Sequence, residues 1–270
     1  MSTPSAFKIG GVNYLNSRPL IYSLAESDAC AELILDVPSR LADLLADSAL
    51  DVALVPSLEM FRHPEYVAVS DACIACRGPV MSVKLLFRRP AAEIRSLALD
   101  VGSRTSAVLA QVLLHDRFGL KPQLEPLSLE TPITESTADA VLLIGDRAIH
   151  TPKDGFVEAW DLGQQWCQQT GLPFVFAMWT AGPNCDHGAL AALLTTVRDR
   201  GVEKTSEIAH SAADEIGLTA EQVETYLREN LHFSFGAEEA AGLRLFHQRA
   251  AALGLAPTDW ELNIHDLTFA

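Results

Sequence analysis

Phe7-Lys8-Ile9-Gly10-Gly11 runs directly into Val12-Asn13-Tyr14-Leu15-Asn16-Ser17-Arg18-Pro19-Leu20. The first five residues form a short strand-like start. The next nine turn the chain toward a helix, with Pro19 suited to a first helical turn because its missing N–H would be unpaired there anyway. This turn holds two amides, a hydroxyl and a guanidinium, groups better placed to reach a ligand than a core. A purely structural alternative stands beside that reading, in which Asn16 or Ser17 simply caps the helix.

Outward from this turn the chain alternates strand and helix. Pro19–Ala25 starts a helix, Leu33–Val37 is a second strand, and Ser39 is expected to cap a helix carrying Leu41, Leu44 and Leu45. Asp51-Val52-Ala53-Leu54-Val55-Pro56 is a buried strand stopped by its proline, and Val67–Val69 and Cys73–Ala75 continue the sheet. A second set follows. Val83–Phe87 and Ser96–Asp100 are strands, and the latter feeds Ser103-Arg104-Thr105-Ser106 and a helix over Ala107–Phe118 closed by Gly119. Residues 121–137 form a loop around one short strand, and Ala138–Ile144 is a buried strand ending at Gly145-Asp146. Leu172–Trp179 is an apolar strand, after which the chain is helical to about Leu255, with a capping box at Thr219-Ala220-Glu221-Gln222 and a last helix from Gly236 to Gly254.

This order predicts an α/β fold with mainly parallel sheets. Its size predicts two lobes, with the chain crossing between them at Leu85–Phe87 and Phe174–Met178. Residues 1–86 and 178–270 then form one discontinuous lobe and residues 87–177 the other, and the C-terminal helices return to the first.

A chain of 270 residues can bury a sizeable core, and its 49% hydrophobic and 20% charged residues are those of an ordinary globular protein. The formal net charge of −15 repels nucleic acid and anionic membrane surfaces, so neither is an expected partner. An anionic substrate would be repelled as well, and has to be captured by local donors. Five cysteines, an odd number, argue against a disulfide framework, and the Cys73–Cys76 pair lacks the partners of a zinc site. The eight histidines are scattered without metal spacing, so neither a metal nor a cofactor is expected. With no signal-peptide pattern and no apolar run long enough to span a bilayer, the expected location is the cytoplasm. Oligomeric state is not legible.

Several polar turns lie at strand ends, where α/β proteins place ligands. Ser103, Arg104, Thr105 and Ser106 sit between a buried strand and a strong helix, so hydroxyls and free N–H groups converge at a positive helix end able to bind a carboxylate or a phosphate. A simple N-cap with a solvent-facing arginine is the alternative. Asn13, Asn16, Ser17 and Arg18 form a second cluster, and Ser82 a third at the end of Gly78-Pro79-Val80-Met81-Ser82. Ser57 and Asp146 hold similar strand-end positions. Together they predict a ligand cleft without naming the ligand.

The same segments, in this order, resemble the chorismate dehydratases of the futalosine route to menaquinone. The resemblance is carried by Val12–Leu20, Asp51–Ser57, Gly78–Ser82, Ser103–Ser106, Leu143–Asp146, Asp161–Gly163 and Thr170–Ala177. Cys185–Gly188 matches nothing in that pattern. The resemblance implies a two-lobed fold like the type II periplasmic binding proteins. It also implies a lyase that removes water from chorismate, a small anionic substrate, to give 3-[(1-carboxyvinyl)oxy]benzoate. On that reading Asn16 and Ser82 are the catalytic residues, and Asn13, Ser17, Arg18, Ser57, Ser103, Arg104, Thr105, Ser106 and Asp146 bind substrate. None of these clusters contains an obvious base for the C3 proton. The enolpyruvyl carboxylate of the substrate itself is therefore expected to take it, as the family's chemistry also implies.

Two other readings stay open at this point. A non-enzymatic binding protein would share the fold. The dihydroxynaphthoate synthase of the same pathway would too, but its Ser-Pro-Cys-Pro-Asn-Asp signature is replaced here by Asn13-Tyr14-Leu15-Asn16-Ser17.

Overall fold

A computed structural model describes residues 6–152 and 154–265. The chain lays down β1 (Phe7–Val12), α1 (Arg18–Ile21), β2 (Cys30–Asp36), α2 (Pro38–Ala46), β3 (Val52–Pro56), α3 (Leu58–Arg62) and β4 (Val67–Cys76). It continues through β5 (Val83–Phe87), β6 (Ser96–Asp100), α4 (Thr105–Phe118), β7 (Gln123–Leu127), β8 (Ala140–Ile144), α5 (Asp146–Ile149), β9 (Glu158–Asp161) and α6 (Leu162–Thr170). Then come β10 (Phe174–Ala181), α7 (His187–Glu203), α8 (Thr205–Ile216), α9 (Ala220–Thr225), β11 (His232–Ser234) and α10 (Ala237–Ala252).

These strands make two sheets, one per lobe. The first has the order β11-β4-β10-β3-β1-β2 and the second β7-β6-β8-β5-β9. Each is mixed rather than mainly parallel. The βαβ units β2-β1-β3 and β7-β6-β8 pair in parallel. The strands nearest the lobe crossings, β10, β4, β11, β5 and β9, pair antiparallel. Parallel neighbours need a helical crossover and arise where α/β alternation is regular. A chain that leaves a sheet and returns from the other lobe can enter in either direction.

Sheet membership also relocates the crossings. β5 pairs only with strands of the second sheet and β10 only with strands of the first, so neither strand is shared. The chain changes sheet in the turn between Cys76 and Val83, and again between β9 and β10. The expected divisions at 86/87 and 177/178 cut through these strands, because periodicity marks a strand without saying which sheet it joins.

Two helix starts also differ from expectation. Ser39 lies inside the first turn of α2; Pro38 opens that helix after extended Val37, and no side chain caps it. The helix expected over Pro19–Ala25 stops at Ile21, and Ser23 sits in the left-handed region at φ 57°. By contrast α4 ends at left-handed Gly119, and Thr219 and Gln222 form their capping box.

The C-terminal helices do return to the first lobe. α7 packs on β4 and α1, while α10 lies against β10 and reaches α4. Gly201 of α7 permits the closest of these approaches, since a Cβ there would lie 1.9 Å from the Pro19 carbonyl oxygen. Cys73 and Cys76 are wholly buried free thiols in β4. Among the described residues no helix is long and apolar enough to cross a membrane.

Candidate functional site

The strand-to-helix turns of both lobes face each other across the cleft, and several direct bonds close it. The Gly102 carbonyl accepts from the Ser39 N–H at 3.1 Å. The Asp146 carboxylate accepts from the Leu15 N–H at 3.1 Å, and the Thr105 hydroxyl accepts from the Leu58 N–H at 3.1 Å. Arg104 reaches over to Asp43 and to buried Glu59, the latter at 3.2 Å. Tyr14 packs under Gly145, whose φ of 60° and ψ of −146° suit only glycine; a Cβ there would lie 2.8 Å from the Tyr14 ring.

Beneath these ties lies a pocket between the two lobes. Its polar side chains are Tyr14, Asn16, Ser82, Ser103 and Ser106; the rest of the wall is apolar or glycine, including Val12, Ile74, Val80, Ile144 and Phe176. Nothing in this lining is a carboxylate, imidazole, amine or thiol. Such a site, apolar with a few aimed polar groups, is the usual form of a small-molecule pocket.

Two of these groups are unusual. The Asn16 side-chain oxygen and the Ser82 hydroxyl are buried without a hydrogen-bond partner of full geometry among the described residues. Buried polar atoms are nearly always paired, so an orphan on a cavity wall points to a ligand that completes it. Asn16 rides on a short 3-10 turn, Leu15–Ser17, directly after β1. Ser82 ends a strained turn in which Met81 has φ 64°. That turn is pinned by Asp161, whose carboxylate accepts from the N–H groups of Val80 at 2.9 Å and Met81 at 2.6 Å. Ser103 accepts from the Ser106 N–H at 3.1 Å in the first turn of α4, and a hydroxyl that accepts still has its own proton to donate.

The remaining expected ligands lie outside the pocket lining and have partners within the protein. Arg18 pairs with Glu215 at 2.9 Å, and Arg104 is engaged as above. The Ser17 hydroxyl bonds the carbonyls of Val12 and Tyr14 and so fixes the turn that carries Asn16. The Ser57 hydroxyl donates to the Val175 carbonyl at 2.7 Å, and the Asn13 N–H donates to the Asp36 carbonyl at 3.1 Å. Neither Asn13, Ser17, Arg18, Ser57, Arg104, Thr105 nor Asp146 lines the cavity. They build and close the cleft. Conversely Tyr14 and Phe176 form its walls, although an aromatic residue at a strand end reads equally well as core.

Burial shifts the titratable groups around the pocket. Burial pushes the Tyr14 phenol up, with Asp100 and Asp146 adding to the shift, so the ring stays protonated at neutral pH. Burial likewise raises the carboxyls of Asp146 and Asp100, partly offset by hydrogen bonds from the backbone N–H groups of Leu15 and Gly102 respectively.

Comparison with known proteins gives the site a context. A family described as "Menaquinone biosynthesis" matches residues 7–252. The chorismate dehydratase of Thermus thermophilus is 31% identical, covering 92% of this chain and 96% of its own. That of Campylobacter jejuni is 26% identical over 92% and 99%. Among solved structures, protein AF1704 from Archaeoglobus fulgidus superposes with a TM-score of 0.74 at 14% identity, over 93% of this chain and 98% of that one. The periplasmic aliphatic sulphonate binding protein SsuA from Escherichia coli gives 0.62 at 16%, over 96% of both. At such low identity these two establish the periplasmic-binding-protein fold and nothing finer. The match over nearly the whole chain, with a relative above 30% identity, establishes more: the chain belongs to the menaquinone-biosynthesis family, alongside these two dehydratases.

Proposed function

We propose that the protein dehydrates chorismate to 3-[(1-carboxyvinyl)oxy]benzoate, the opening step of futalosine-dependent menaquinone biosynthesis. The observation that carries this reading is the cavity wall: hydroxyls, one amide and apolar surface, with no side chain able to act as a base near neutral pH. Few reactions need so little, and this elimination is one of them.

The C3 hydrogen of chorismate is acidified through the ring diene by the ring carboxylate, and the C4 hydroxyl is the leaving group. Loss of the C3 proton leaves its electron pair in the ring system as a dienolate. Expulsion of the C4 oxygen then places that pair in the last double bond of a benzene ring. The proton and hydroxide depart together as water. Aromatisation supplies the driving force, so the protein has to fix one conformer and stabilise charge.

In this reading the enolpyruvyl carboxylate of the substrate abstracts the C3 proton. The apolar walls strip water from that carboxylate and raise its basicity. Asn16 hydrogen-bonds the C4 oxygen as it leaves. Ser82 holds the enolpyruvyl carboxylate beside C3. Ser103 and Ser106, at the positive end of α4, meet the ring carboxylate where dienolate charge gathers. Arg104, Thr105, Ser57 and Asp146 contribute by closing the cleft, and Ser17 by shaping the Asn16 turn. With an intracellular metabolite as substrate, the protein works in the cytoplasm.

The test is direct. Purified protein and chorismate, without added metal or cofactor, are followed by proton NMR beside an enzyme-free control. The cyclohexadiene signals should give way to a meta-substituted aromatic pattern with the vinyl protons retained. Chorismate that binds yet decays only at the control rate would leave a binding protein instead.

A further inference from the structure

Ser82 reaches the pocket from a three-residue turn. Its N–H donates to the Val80 carbonyl at 2.7 Å, which closes the turn around Met81. Met81 has φ 64°. A turn of this size with positive φ at its centre is the strained form of the γ-turn, rare in general and costly for a residue that carries a Cβ. Such strain persists only where the surroundings over-determine it.

The surroundings here come from the chain's second crossing between the sheets. Asp161 ends β9 and caps α6. Its Oδ1 accepts from the Gln164 N–H at 3.0 Å and from the Val80 N–H at 2.9 Å, while its Oδ2 accepts from the Met81 N–H at 2.6 Å. One carboxylate thus serves three donors, two of them consecutive N–H groups of the γ-turn. Gly163 lets α6 press on the same segment, since a Cβ there would lie 2.8 Å from the Gly78 carbonyl oxygen. From another side the Asn230 amide donates to the Pro79 carbonyl at 3.0 Å. Everything from Gly78 to Met81 is gripped. The next residue, Ser82, lines the pocket with a buried hydroxyl that has no partner among the described residues.

We propose that Asp161 is a positioning residue for Ser82: its bonds to Val80 and Met81 hold Met81 left-handed, and that conformation aims the Ser82 hydroxyl into the pocket. The inference rests on the reading above, in which Ser82 holds the enolpyruvyl carboxylate beside C3. Without the bond to its N–H, Met81 relaxes toward the negative φ that a side chain prefers, and Ser82 turns with it. Asp161 itself touches no reacting atom.

Asp161→Asn is close in shape and remains a good helix cap, but one of its two acceptors becomes an amide donor facing an N–H. Asp161→Ser, a second good cap, offers a single, shorter acceptor. Steady-state kinetics on chorismate would be measured for wild type and both variants, for each in a Ser82→Ala background, and for Asp161→Asn with Met81→Gly beside Met81→Gly alone. Circular dichroism verifies folding. Both Asp161 variants should lose about tenfold in kcat with a smaller change in KM, since a misaimed carboxylate base harms the transition state more than binding. In the Ser82→Ala background they should cost little further. Glycine adopts positive φ without steric strain, so Met81→Gly should restore most of the kcat lost in Asp161→Asn. Wild-type kcat in either Asp161 variant, a loss that Met81→Gly leaves untouched, or losses that multiply with Ser82→Ala would each overturn the role of Asp161. A wild-type protein inert toward chorismate would overturn the functional reading and this role with it.

Discussion

The carboxylate of Asp146, just after β8, accepts a hydrogen bond at 3.1 Å from the backbone N–H of Leu15, just after β1. The bond spans 131 residues of chain and joins the two lobes beside Asn16. It is one of a set of cross-lobe bonds made by Asp146, Thr105 and Arg104, and the consequences can be measured.

Asp146 holds its latch as a partly buried charge, and burial raises its pKa above the usual carboxylate value. A raised folded-state pKa means that stability is fully present below the unfolded pKa and is lost as pH rises through the folded one. Asp146→Asn keeps an oxygen acceptor for Leu15 and removes the charge. Its melting temperature should match or exceed wild type at neutral pH. The advantage should shrink as pH falls through the carboxylate range. Thermal melts over that range check it; an advantage that grows toward acid would contradict the assignment.

Gly145 presses on the Tyr14 ring from a backbone conformation open only to glycine. Gly145→Ala should cost about 1–3 kcal/mol in backbone strain and push Tyr14 into the cavity. Denaturant unfolding should register the first effect and a rise in KM for chorismate the second.

Arg104 distinguishes a latch from a ligand. Glu59 is 2% exposed, and losing Arg104 leaves this buried carboxylate only the longer contacts to Arg62 at 3.5 Å and His63 at 3.7 Å. Arg104→Met should destabilise the protein by about 1–3 kcal/mol, and adding Glu59→Gln should recover most of that. Were Arg104 a direct substrate ligand, the double variant would stay as impaired in KM as the single one.

Asn16 lines the pocket with an unpaired side-chain oxygen, and in the proposed reaction its amide N–H is the group that donates to the leaving C4 oxygen. Asn16→Ala should fold normally by circular dichroism and lose about 10²–10³ in kcat, the usual cost of removing one aimed donor. Unchanged turnover would take Asn16 out of the mechanism.

Much of this was legible in the chain itself, for definable reasons. β1, β3, β5, β6 and α4 are regular elements whose hydrophobic period and end signals coincide, as with Gly119 closing α4. Short β9 and β11 carry too few residues for a period to show, and the break at Ser23 depends on tertiary packing. Asn16, Ser82, Ser103 and Ser106 could be singled out because a polar cluster at a strand end has few structural uses. The roles of Arg18, Arg104 and Asp146 could not. Their partners are Glu215, Glu59 with Asp43, and Leu15, and no local pattern announces a partner that distant.

The central claim is that this cavity positions its substrate and leaves the proton transfer to the substrate itself. A chorismate analogue with the enolpyruvyl carboxylate replaced by a carboxamide tests it most directly, by proton NMR alongside chorismate. The account predicts that the analogue competes for the site and returns unchanged while chorismate is converted. Dehydration of the analogue at a rate close to that of chorismate would mean that a protein group takes the proton, and would contradict the account.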